Sequence, residues 1–498
     1  MVFWRLLIVF LMFSVFCNAA DAKQKKIKRA KVYSKNYAKP TTIYGKQNLS
    51  YTINKIIRGL DKGAVIGINI RSMKNGETIY TKNNNRAFIP ASILKVFTAE
   101  AALLYLGSDY KFPTTLLTDA TDINNGYIDG NVYVIQSGDP SLTYADLVEL
   151  MGSLQSQDIK GVSGNIYIDH SAYDNEYYGP GWDPDDKKYC YAAPIGAGIV
   201  NGNCLTMKVT PAKKNGQRAK IAENDKYYYG NVKNTVVTKR KGSKSCYLKM
   251  KDNNDGRVSL SGCMQRGRGP WWVSSVVSNI SEYNISMIKS LFKKYNIHVD
   301  GEVDIGLAEE DYTTIAIHHS KPLHELVNKM LKKSDNVIAG SLLKKLGEFD
   351  SRSQGTWLNG SSAVKKILSK KAKVNTKGLE IVDGSGLSRD NKVKPSQVAQ
   401  VLDFAFHDYN TSYEFIGGLP IAGKDGTLKN RLKNASHKVR AKTGTISGVV
   451  SLAGYVVTKN GENFSFVIII NGKNGMSWKY REIEDKIVTA LTNYKRGR

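Results

Sequence analysis

The sequence predicts an α/β domain that is built from both ends of the chain and interrupted by a β-rich insertion of two small modules. Strand-like and helix-like segments alternate near the N-terminus, and helices followed by apolar strands fill the C-terminal part. Between about Gly107 and about Gly306, short strand-like pieces alternate with turns rich in Gly, Asp and Asn. A length of 498 residues also exceeds what one hydrophobic core usually supports, so several domains are expected.

The first 22 residues have the pattern of a secretory signal peptide. Arg5 precedes the apolar run 6–16, and Ala-Asp-Ala at 20–22 supplies small residues for cleavage. The apolar run is short for a membrane span, although an uncleaved anchor is the alternative. No later segment approaches membrane-spanning length, so residues 1–22 are predicted to be removed and the mature protein to be soluble.

The next segment, residues 23–46, is strongly basic. It carries nine Lys or Arg residues and no acid, within a formal net charge of +28 for the chain. Such a run is normally a solvated, disordered arm. Nucleic acid is the usual partner of so basic a protein, but an exported protein meets other polyanions. We therefore expect the arm to contact an anionic membrane surface or wall polymer, and expect no nucleic-acid partner.

Residues 47–107 are predicted to be the N-terminal part of the α/β domain. Segments 64–70 and 78–80 have the composition of paired strands around the turn Lys74-Asn75-Gly76. A helix is predicted to begin at Pro90-Ala91-Ser92, because apolar and Ala residues follow at helical spacing.

Residues 307–498 are predicted to complete that domain. The apolar spacing after Leu323 indicates a helix, and 449–457 and 464–470 are apolar enough for buried strands. A last helix is expected over 481–493.

Residues 108–306 are predicted to form the insertion. All cysteines that follow the signal peptide lie in it: Cys190, Cys204, Cys246 and Cys263. An even number of cysteines in an exported protein indicates disulfides. Proximity favours Cys190 with Cys204 and Cys246 with Cys263, although three pairings are possible. No clustered His/Cys spacing is present, so no metal is expected.

A Ser-x-x-Lys pattern at Ser92 and Lys95 is the first candidate for chemistry. The chain has no Gly-x-Ser-x-Gly motif, which weakens a Ser–His hydrolase interpretation. A lysine can be the base instead if burial or a neighbouring cation lowers its pKa, and a spacing of three on a helix brings amine and hydroxyl together. Other serines also precede Lys by three positions, and for four of them a solvent-facing surface is the preferred explanation: Ser108, Ser286, Ser290 and Ser362.

Two further motifs single out Ser92. Ser334-Asp335-Asn336 and then Lys442-Thr443-Gly444-Thr445 follow it along the chain. The set S-x-x-K, S-D-N and K-T-G, in that order, is the signature of penicillin-binding proteins and serine β-lactamases. Lys95 would be the base, Ser334 would pass a proton to the leaving amine, and the Asn336 amide would hold Lys95 and the substrate backbone.

The K-T-G segment is expected to bind the substrate. Lys442 would lower the pKa of Lys95 and attract a terminal carboxylate, which the hydroxyls of Thr443 and Thr445 can also bind. Gly444 would let the substrate approach the strand edge without a side chain in the way. The backbone N–H groups of Ser92 and Thr445 would form the oxyanion hole, where one donor contributes roughly 3–4 kcal/mol in studied hydrolases.

With these motifs, the chain resembles the class C low-molecular-mass penicillin-binding proteins, the penicillin-binding protein 4 type of D-alanyl-D-alanine carboxypeptidase/endopeptidase. The resemblance covers nearly everything after the basic arm. Further segments carry it: 137–142 (SGDPSL), 190–194 (CYAAP) with Asn203-Cys204, 383–389 (DGSGLSR), 422–428 (AGKDGTL) and 440–445 (RAKTGT). It implies a transpeptidase-like domain with two inserted domains, a periplasmic location, and acylation of Ser92 by D-Ala-D-Ala substrates and β-lactams.

Two departures from the family pattern concern binding. The long basic arm is not part of that pattern. Asn201 stands where an acid is expected, a candidate contact for the amino group of diaminopimelate, whereas Arg389, the other expected contact for that side chain, is present.

The resulting prediction is a serine-type D-Ala-D-Ala carboxypeptidase or DD-endopeptidase that cleaves peptidoglycan stem peptides through an acyl-serine, with no cofactor or metal. A serine β-lactamase is one alternative, but the chain lacks Glu-x-x-Leu-Asn between the S-D-N and K-T-G motifs, and its insertion is large. A non-catalytic protein that binds peptidoglycan or senses β-lactams is the other.

Overall fold

The computed structural model describes residues 41–221, 231–253, 257–309 and 311–497. The predicted signal peptide and most of the predicted basic arm lie outside these residues. The end of the predicted arm is ordered, because Ile43 pairs with Tyr494 near the C-terminus and a helix begins at Gly45. Within the described ranges, no helix is long and apolar enough to cross a membrane.

The N-terminal part of the α/β domain contains the two strands and the helix that were predicted, preceded by a short strand and a helix that were not. Its elements are β1 (Ile43–Tyr44), α1 (Gly45–Ile57), β2 (Val65–Ser72), β3 (Thr78–Lys82), a 3₁₀ turn (Ala91–Leu94) and α2 (Lys95–Leu106). Strands β2 and β3 pair antiparallel, which confirms the predicted hairpin.

The insertion contains the strands that were predicted and two helices that were not. Its elements are β4 (Pro113–Thr118), β5 (Ile123–Asn124), β6 (Tyr127–Ile128), β7 (Val132–Gln136), α3 (Tyr144–Ser156), β8 (Gly161–Val162), β9 (Ile166–Asp169), β10 (Cys204–Thr210), β11 (Lys220–Ile221), β12 (Asn231–Asn234), β13 (Val237–Lys239), β14 (Leu248–Asp252), β15 (Arg257–Gln265), β16 (Trp271–Val276), α4 (Ile280–Lys294), β17 (His298–Val299), β18 (Val303–Ile305) and β19 (Thr313–His319). Helix α3 starts at a capping box between Thr143 and Asp146, a local signal that the turn-rich surroundings obscure.

The strands of the insertion form four small sheets, with orders β18-β9-β7-β4-β19, β17-β8-β6-β5, β11-β10-β16 and β12-β15-β13 with β14 paired to β15. Strand β19 pairs with β4, so the first of these sheets continues past residue 306, where the insertion was predicted to end. The favoured disulfide pairing is confirmed, because Cys190 is bonded to Cys204 and Cys246 to Cys263.

The C-terminal part supplies most of the helices and the rest of the main sheet. Its elements are α5 (Leu323–Lys333), α6 (Asn336–Ser351), α7 (Trp357–Lys371), α8 (Pro395–His407), α9 (Ser412–Gly418), β20 (Val439–Ile446), β21 (Val449–Val457), β22 (Asn463–Asn471), α10 (Ser477–Thr492) and β23 (Tyr494–Lys495). The last long helix begins at Ser477 rather than at the predicted 481.

The main sheet is antiparallel with strand order β20-β21-β22-β2-β3, and both of its faces are covered. Along β22, Ile468 and Ile470 belong to the core beneath α1 and α10. Val467 and Ile469, which point the other way, belong to the core formed with α2 and the helices that follow the insertion. This three-layer arrangement brings the ends of β20, α2 and α5 together.

Candidate active site

Ser92 lies in the tight turn that leads into α2, opposite the buried side chain of Lys95. The 3₁₀ turn Ala91–Leu94 begins with a left-handed Ala91, φ 49°, and passes directly into the α-helix at Lys95. Lys95 Nζ is 3.2 Å from Ser92 Oγ, and the lysine is 0% exposed. The amine and the hydroxyl predicted from the spacing of three are therefore in hydrogen-bond contact.

Two more acceptors surround the Lys95 amine. Nζ donates to Asn336 Oδ1 at 2.6 Å and to the backbone carbonyl of Ser385 at 2.7 Å. Burial lowers the pKa of Lys95 to about 7, although the charges of Asp383 and Asp335 oppose this shift. A lysine with such a pKa is substantially neutral near neutral pH and can accept a proton.

Lys442, on strand β20, is also completely buried. Its Nζ donates to Ser334 Oγ at 2.8 Å and to the carbonyl of Thr443 at 2.7 Å. Burial lowers the pKa of Lys442 well below its ordinary value, and the positive charge of Lys95 lowers it further. The sequence analysis expected burial or a neighbouring cation to lower the pKa of Lys95, and Lys442 to contribute; burial is the largest cause of the lowered pKa for both amines.

The S-D-N motif forms the break between α5 and α6. Ser334 ends α5 in the left-handed conformation, φ 60°, and the Asp335 carboxylate caps α6 by accepting from the N–H groups of Val337 and Ile338. This geometry turns Ser334 toward Lys442 and Asn336 toward Lys95.

Gly444 is needed because the turn that carries Ser92 packs directly against β20. A Cβ at this position would lie 2.8 Å from the backbone nitrogen of Ser92 and 2.2 Å from Ser451 Oγ. The structure therefore attributes the glycine to contact with the Ser92 turn and the neighbouring strand. The sequence analysis also predicted that Gly444 lets the substrate approach the edge of the strand, and this stays a prediction.

The two threonines of the motif lie on either side of Gly444. Thr443 Oγ1 donates to Thr427 Oγ1 at 2.7 Å, and Thr445 Oγ1 donates to the carbonyl of Gly444 at 2.8 Å. Arg481, on α10, approaches Thr445 Oγ1 with a guanidinium nitrogen at 3.4 Å. Thr427 lies in the 422–428 segment, which the sequence analysis noted as part of the family resemblance but gave no role. No sequence signal pointed to Arg481.

The residues considered for diaminopimelate are separated from each other. Arg389 is exposed, and its guanidinium donates to the carbonyl of Ser447 in the turn after β20. Asn201 bonds within the insertion, where Oδ1 accepts from the Tyr144 N–H at 3.2 Å and Nδ2 donates to Tyr283 Oη at 3.4 Å. Both contacts are to residues of the insertion, so the Asn201 side chain helps to hold the insertion together.

A buried carboxylate supports the loop that holds Lys95. Asp383 accepts from Trp182 Nε1 at 2.7 Å, from the Gly386 N–H at 2.7 Å and from Asn391 Nδ2 at 3.0 Å. The same loop contains the Ser385 carbonyl that accepts from Lys95. The sequence analysis noted this DGSG segment as part of the family resemblance but gave it no role.

A backbone group of the insertion contacts Asn336 directly. Asn336 Nδ2 donates to the carbonyl of Tyr191 at 2.7 Å. Tyr191 belongs to the short 3₁₀ segment Cys190–Ala192, next to the Cys190–Cys204 disulfide. A backbone carbonyl leaves no mark on the residue pattern, so this contact could not be found in the sequence.

Comparison with known proteins gives one consistent result. A family model described as the D-Ala-D-Ala carboxypeptidase 3 (S13) family matches residues 49–494. The D-alanyl-D-alanine carboxypeptidase DacB of Haemophilus influenzae is 32% identical, over 84% of this chain and 88% of that protein. A crystal structure of penicillin-binding protein 4 from Haemophilus influenzae has a TM-score of 0.77 at 31% identity, over 88% of this chain and 99% of that chain. A second structure of that protein, complexed with a novel β-lactam, has a TM-score of 0.71 at 29% identity, over 88% of this chain and 98% of that chain.

Proposed function

The chain belongs to the D-Ala-D-Ala carboxypeptidase S13 family and is a serine peptidase of penicillin-binding fold, and on that premise we propose that Ser92 is its nucleophile and Lys95 its base. The observation that carries the proposal is the 3.2 Å contact between Lys95 Nζ and Ser92 Oγ in a fully buried setting. The low pKa of Lys95, about 7, makes the proton transfer feasible near neutral pH.

Acylation then proceeds as follows. Neutral Lys95 takes the proton from Ser92 Oγ as that oxygen bonds to the carbonyl carbon of the penultimate D-Ala. Negative charge collects on the carbonyl oxygen, which the backbone N–H groups of Ser92 and Thr445 stabilise. The C–N bond breaks, and the departing D-Ala amine receives a proton through Ser334, which contacts Lys442 at 2.8 Å. Water later hydrolyses the Ser92 ester and regenerates the hydroxyl.

The substrate's terminal carboxylate is proposed to bind beside β20. The hydroxyls of Thr443 and Thr445 supply hydrogen bonds there, and Lys442, buried beneath them, supplies positive charge when it is protonated. Arg481 adds a second cation at the Thr445 hydroxyl. Arg389 remains the proposed contact for the substrate's side chain.

We further propose that β-lactams acylate Ser92, that cross-linked stem peptides are cleaved as well as free ones, and that the protein works in the periplasm. The β-lactam proposal is supported by the likeness to a structure that holds one. Two disulfides support an oxidising compartment. The basic arm is proposed to contact anionic membrane or wall polymer.

The decisive experiment is mass spectrometry of muropeptides after incubation with the purified protein. Loss of terminal D-Ala and splitting of cross-linked dimers are scored separately. We expect Ser92→Ala to abolish both reactions, because Ser92 supplies the hydroxyl that contacts Lys95, whereas its other contacts are to the Asn336 amide and the Ser385 carbonyl. Ser362→Ala is the matched control, because Ser362 is an exposed serine that also precedes a lysine by three positions.

Three results would contradict the proposal. Full activity of the Ser92→Ala protein would show that Ser92 is not the nucleophile. Failure of the unmodified protein to release D-Ala would favour a binding or sensing protein. Rapid, repeated turnover of nitrocefin, in place of one stable acylation per molecule, would favour a β-lactamase.

A further inference from the structure

The side chain of Asn336 is held at both ends of its amide. Oδ1 accepts from Lys95 Nζ at 2.6 Å, and Nδ2 donates to the Tyr191 carbonyl at 2.7 Å. Because an amide has an acceptor at one end and donors at the other, these two contacts require one orientation. The reversed amide would face the Lys95 amine with N–H donors and the Tyr191 carbonyl with an oxygen, so both contacts would be lost.

The Tyr191 carbonyl is therefore the group that selects the productive orientation, and it belongs to the insertion. Its position is fixed by a short folded segment, in which the Ala192 N–H donates to the Tyr189 carbonyl at 2.8 Å. The rings of Tyr189 and Tyr191 stack at 5.4 Å, and Tyr191 Oη donates to Asp186 at 2.6 Å. All of these contacts lie within the segment itself.

The covalent link to the rest of the insertion is next to that carbonyl. Cys190 is bonded to Cys204, the first residue of β10, and β10 pairs with β16 from Cys204 to Val209. The residue preceding Tyr191 is thus attached to a sheet. Besides this bond, the contacts from outside the segment reach residues that follow it: Asn203 Nδ2 donates to the Pro194 carbonyl and Lys344 Nζ to the Ile195 carbonyl, each at 3.1 Å. The disulfide is the covalent tether at the residue directly before Tyr191.

We propose that the Cys190–Cys204 disulfide is a positioning device for acylation: it holds the Tyr191 carbonyl that orients the Asn336 amide toward Lys95. This inference rests on the proposed function of Lys95 as the base. It assigns the insertion a part in catalysis, and it makes the rate of acylation depend on the oxidation of one particular cysteine pair. Tyr191 and the two cysteines are positioning residues, because none of them touches the reacting atoms.

The test is a double-mutant cycle on the rate of acylation by a fluorescent penicillin. The proteins are the unmodified chain, Cys190→Ser with Cys204→Ser, Asn336→Ala, and the combination of all three substitutions. We expect loss of the disulfide to slow acylation about tenfold when Asn336 is present, because small displacements of catalytic groups have effects of this size. In the Asn336→Ala background, loss of the disulfide should change the residual rate less than about twofold, since its effect passes through that amide.

The chain offers a matched control. The second disulfide, Cys246–Cys263, closes a loop of similar length, with a sequence separation of 17 against 14. Cys246→Ser with Cys263→Ser should leave the acylation rate unchanged even if it lowers the unfolding temperature. Should the Cys190/Cys204 variant fail to fold, partial reduction of the folded, unmodified protein by a phosphine, with mass spectrometry to identify the opened pair, provides the same comparison.

Two outcomes would overturn the inference. One is an unchanged acylation rate after Cys190–Cys204 is opened in folded protein. The other is an equal fall in rate with and without Asn336, which would show a general structural effect. If the unmodified protein is never labelled at Ser92, the proposed function itself fails, and that result is distinct from both.

Discussion

At the scale of single residues, the protonation of Lys95 governs the proposed chemistry. Burial lowers the pKa of this amine to about 7, and only the unprotonated amine can accept the proton of Ser92. Acylation should therefore be slow below pH 6, increase about tenfold per pH unit there, and level off above pH 8. Stopped-flow measurement with a chromogenic β-lactam checks this profile. A rate that climbs only above pH 9 would contradict a buried base of low pKa.

A second prediction at this scale concerns Arg481. Its guanidinium lies 3.4 Å from Thr445 Oγ1, where the substrate's carboxylate is proposed to bind. Arg481→Gln should raise KM for a D-Ala-D-Ala peptide about fivefold, corresponding to roughly 1 kcal/mol for an exposed, charge-assisted contact. Because Arg481 does not contact Lys95, kcat should change little.

Lys486→Gln is the control for this substitution, since Lys486 lies on the same helix and pairs with Glu482 at 2.7 Å, away from β20. Equal KM values for the two variants would show that Arg481 does not bind substrate.

The residues that the sequence could predict are those whose side-chain chemistry is itself the signal. Ser92, Lys95, Ser334 and Lys442 were found because hydroxyl and amine groups recur at diagnostic spacings. The carbonyl of Ser385 could not be found in the same way, since every residue has a carbonyl and only the fold determines which one faces Lys95.

At the scale of elements, the turn before α2 depends on the loop that contains Gly386. Gly386 has φ 82°, and a Cβ there would lie 2.0 Å from the carbonyl oxygen of Ala91, next to the nucleophile. Gly386→Ala should reduce acylation at least tenfold, because relief of this clash displaces the Ser92 turn. Labelling with fluorescent penicillin at equal folded concentrations measures the effect.

Gly417→Ala is the matched control, because a Cβ at Gly417, in helix α9, would meet nothing within 4 Å. Unchanged labelling of the Gly386→Ala protein would show that the turn tolerates the displacement.

Elements were predictable where the hydrophobic pattern is long and regular. Strands β21 and β22 are buried along most of their length, and both were predicted within a residue of their ends. Helices α3 and α4, of 13 and 15 residues, were missed because they lie among Gly- and Asn-rich turns that favour strands and loops. Strands β19 and β4 pair although they are about 200 residues apart in the sequence. The spacing of apolar residues within a short segment indicates a strand but not which distant strand it pairs with.

At the scale of the whole molecule, a buried lysine joins the helices to the insertion. Lys344, on α6, is 0% exposed, and its Nζ donates to Asp174 at 2.6 Å and to the carbonyls of Glu176 and Ile195 at 2.9 and 3.1 Å. Lys344→Met should cost about 3–5 kcal/mol, because it leaves a carboxylate and two carbonyls without their partner. Scanning calorimetry should show a lower unfolding temperature.

Lys370→Met, an exposed substitution near the end of α7, should leave the unfolding temperature within about a degree of the original, as is usual for surface changes. Equal unfolding temperatures for the two variants would mean that the Lys344 contacts are not needed for stability.

The domain architecture was predictable from the sequence, but the contacts that hold the insertion against the α/β domain were not. The penicillin-binding fold expected from three ordered motifs is confirmed by a TM-score of 0.77 to a relative of that type. Lys344 was not singled out, because one more lysine in a chain with 72 Lys and Arg residues resembles a solvated surface group. Only the packing of the insertion against α6 distinguishes it.

The order of strands in the main sheet also has a consequence for when the site can form during synthesis of the chain. Strand β20, which bears Lys442, is linked to β2 in the sheet through β21 and β22. Strand β2 itself pairs with a distant segment, since Ser72 lies opposite Phe464 on β22. During synthesis, the proposed nucleophile Ser92 therefore emerges long before Lys442, the second buried amine, can pack near it. Pairing between strands so far apart in the sequence is slow to form. On the proposed mechanism, a chain without β20 to β22 in place has an incomplete site, so we expect activity to begin only once the roughly fifty residues that follow β20 have been synthesised and folded.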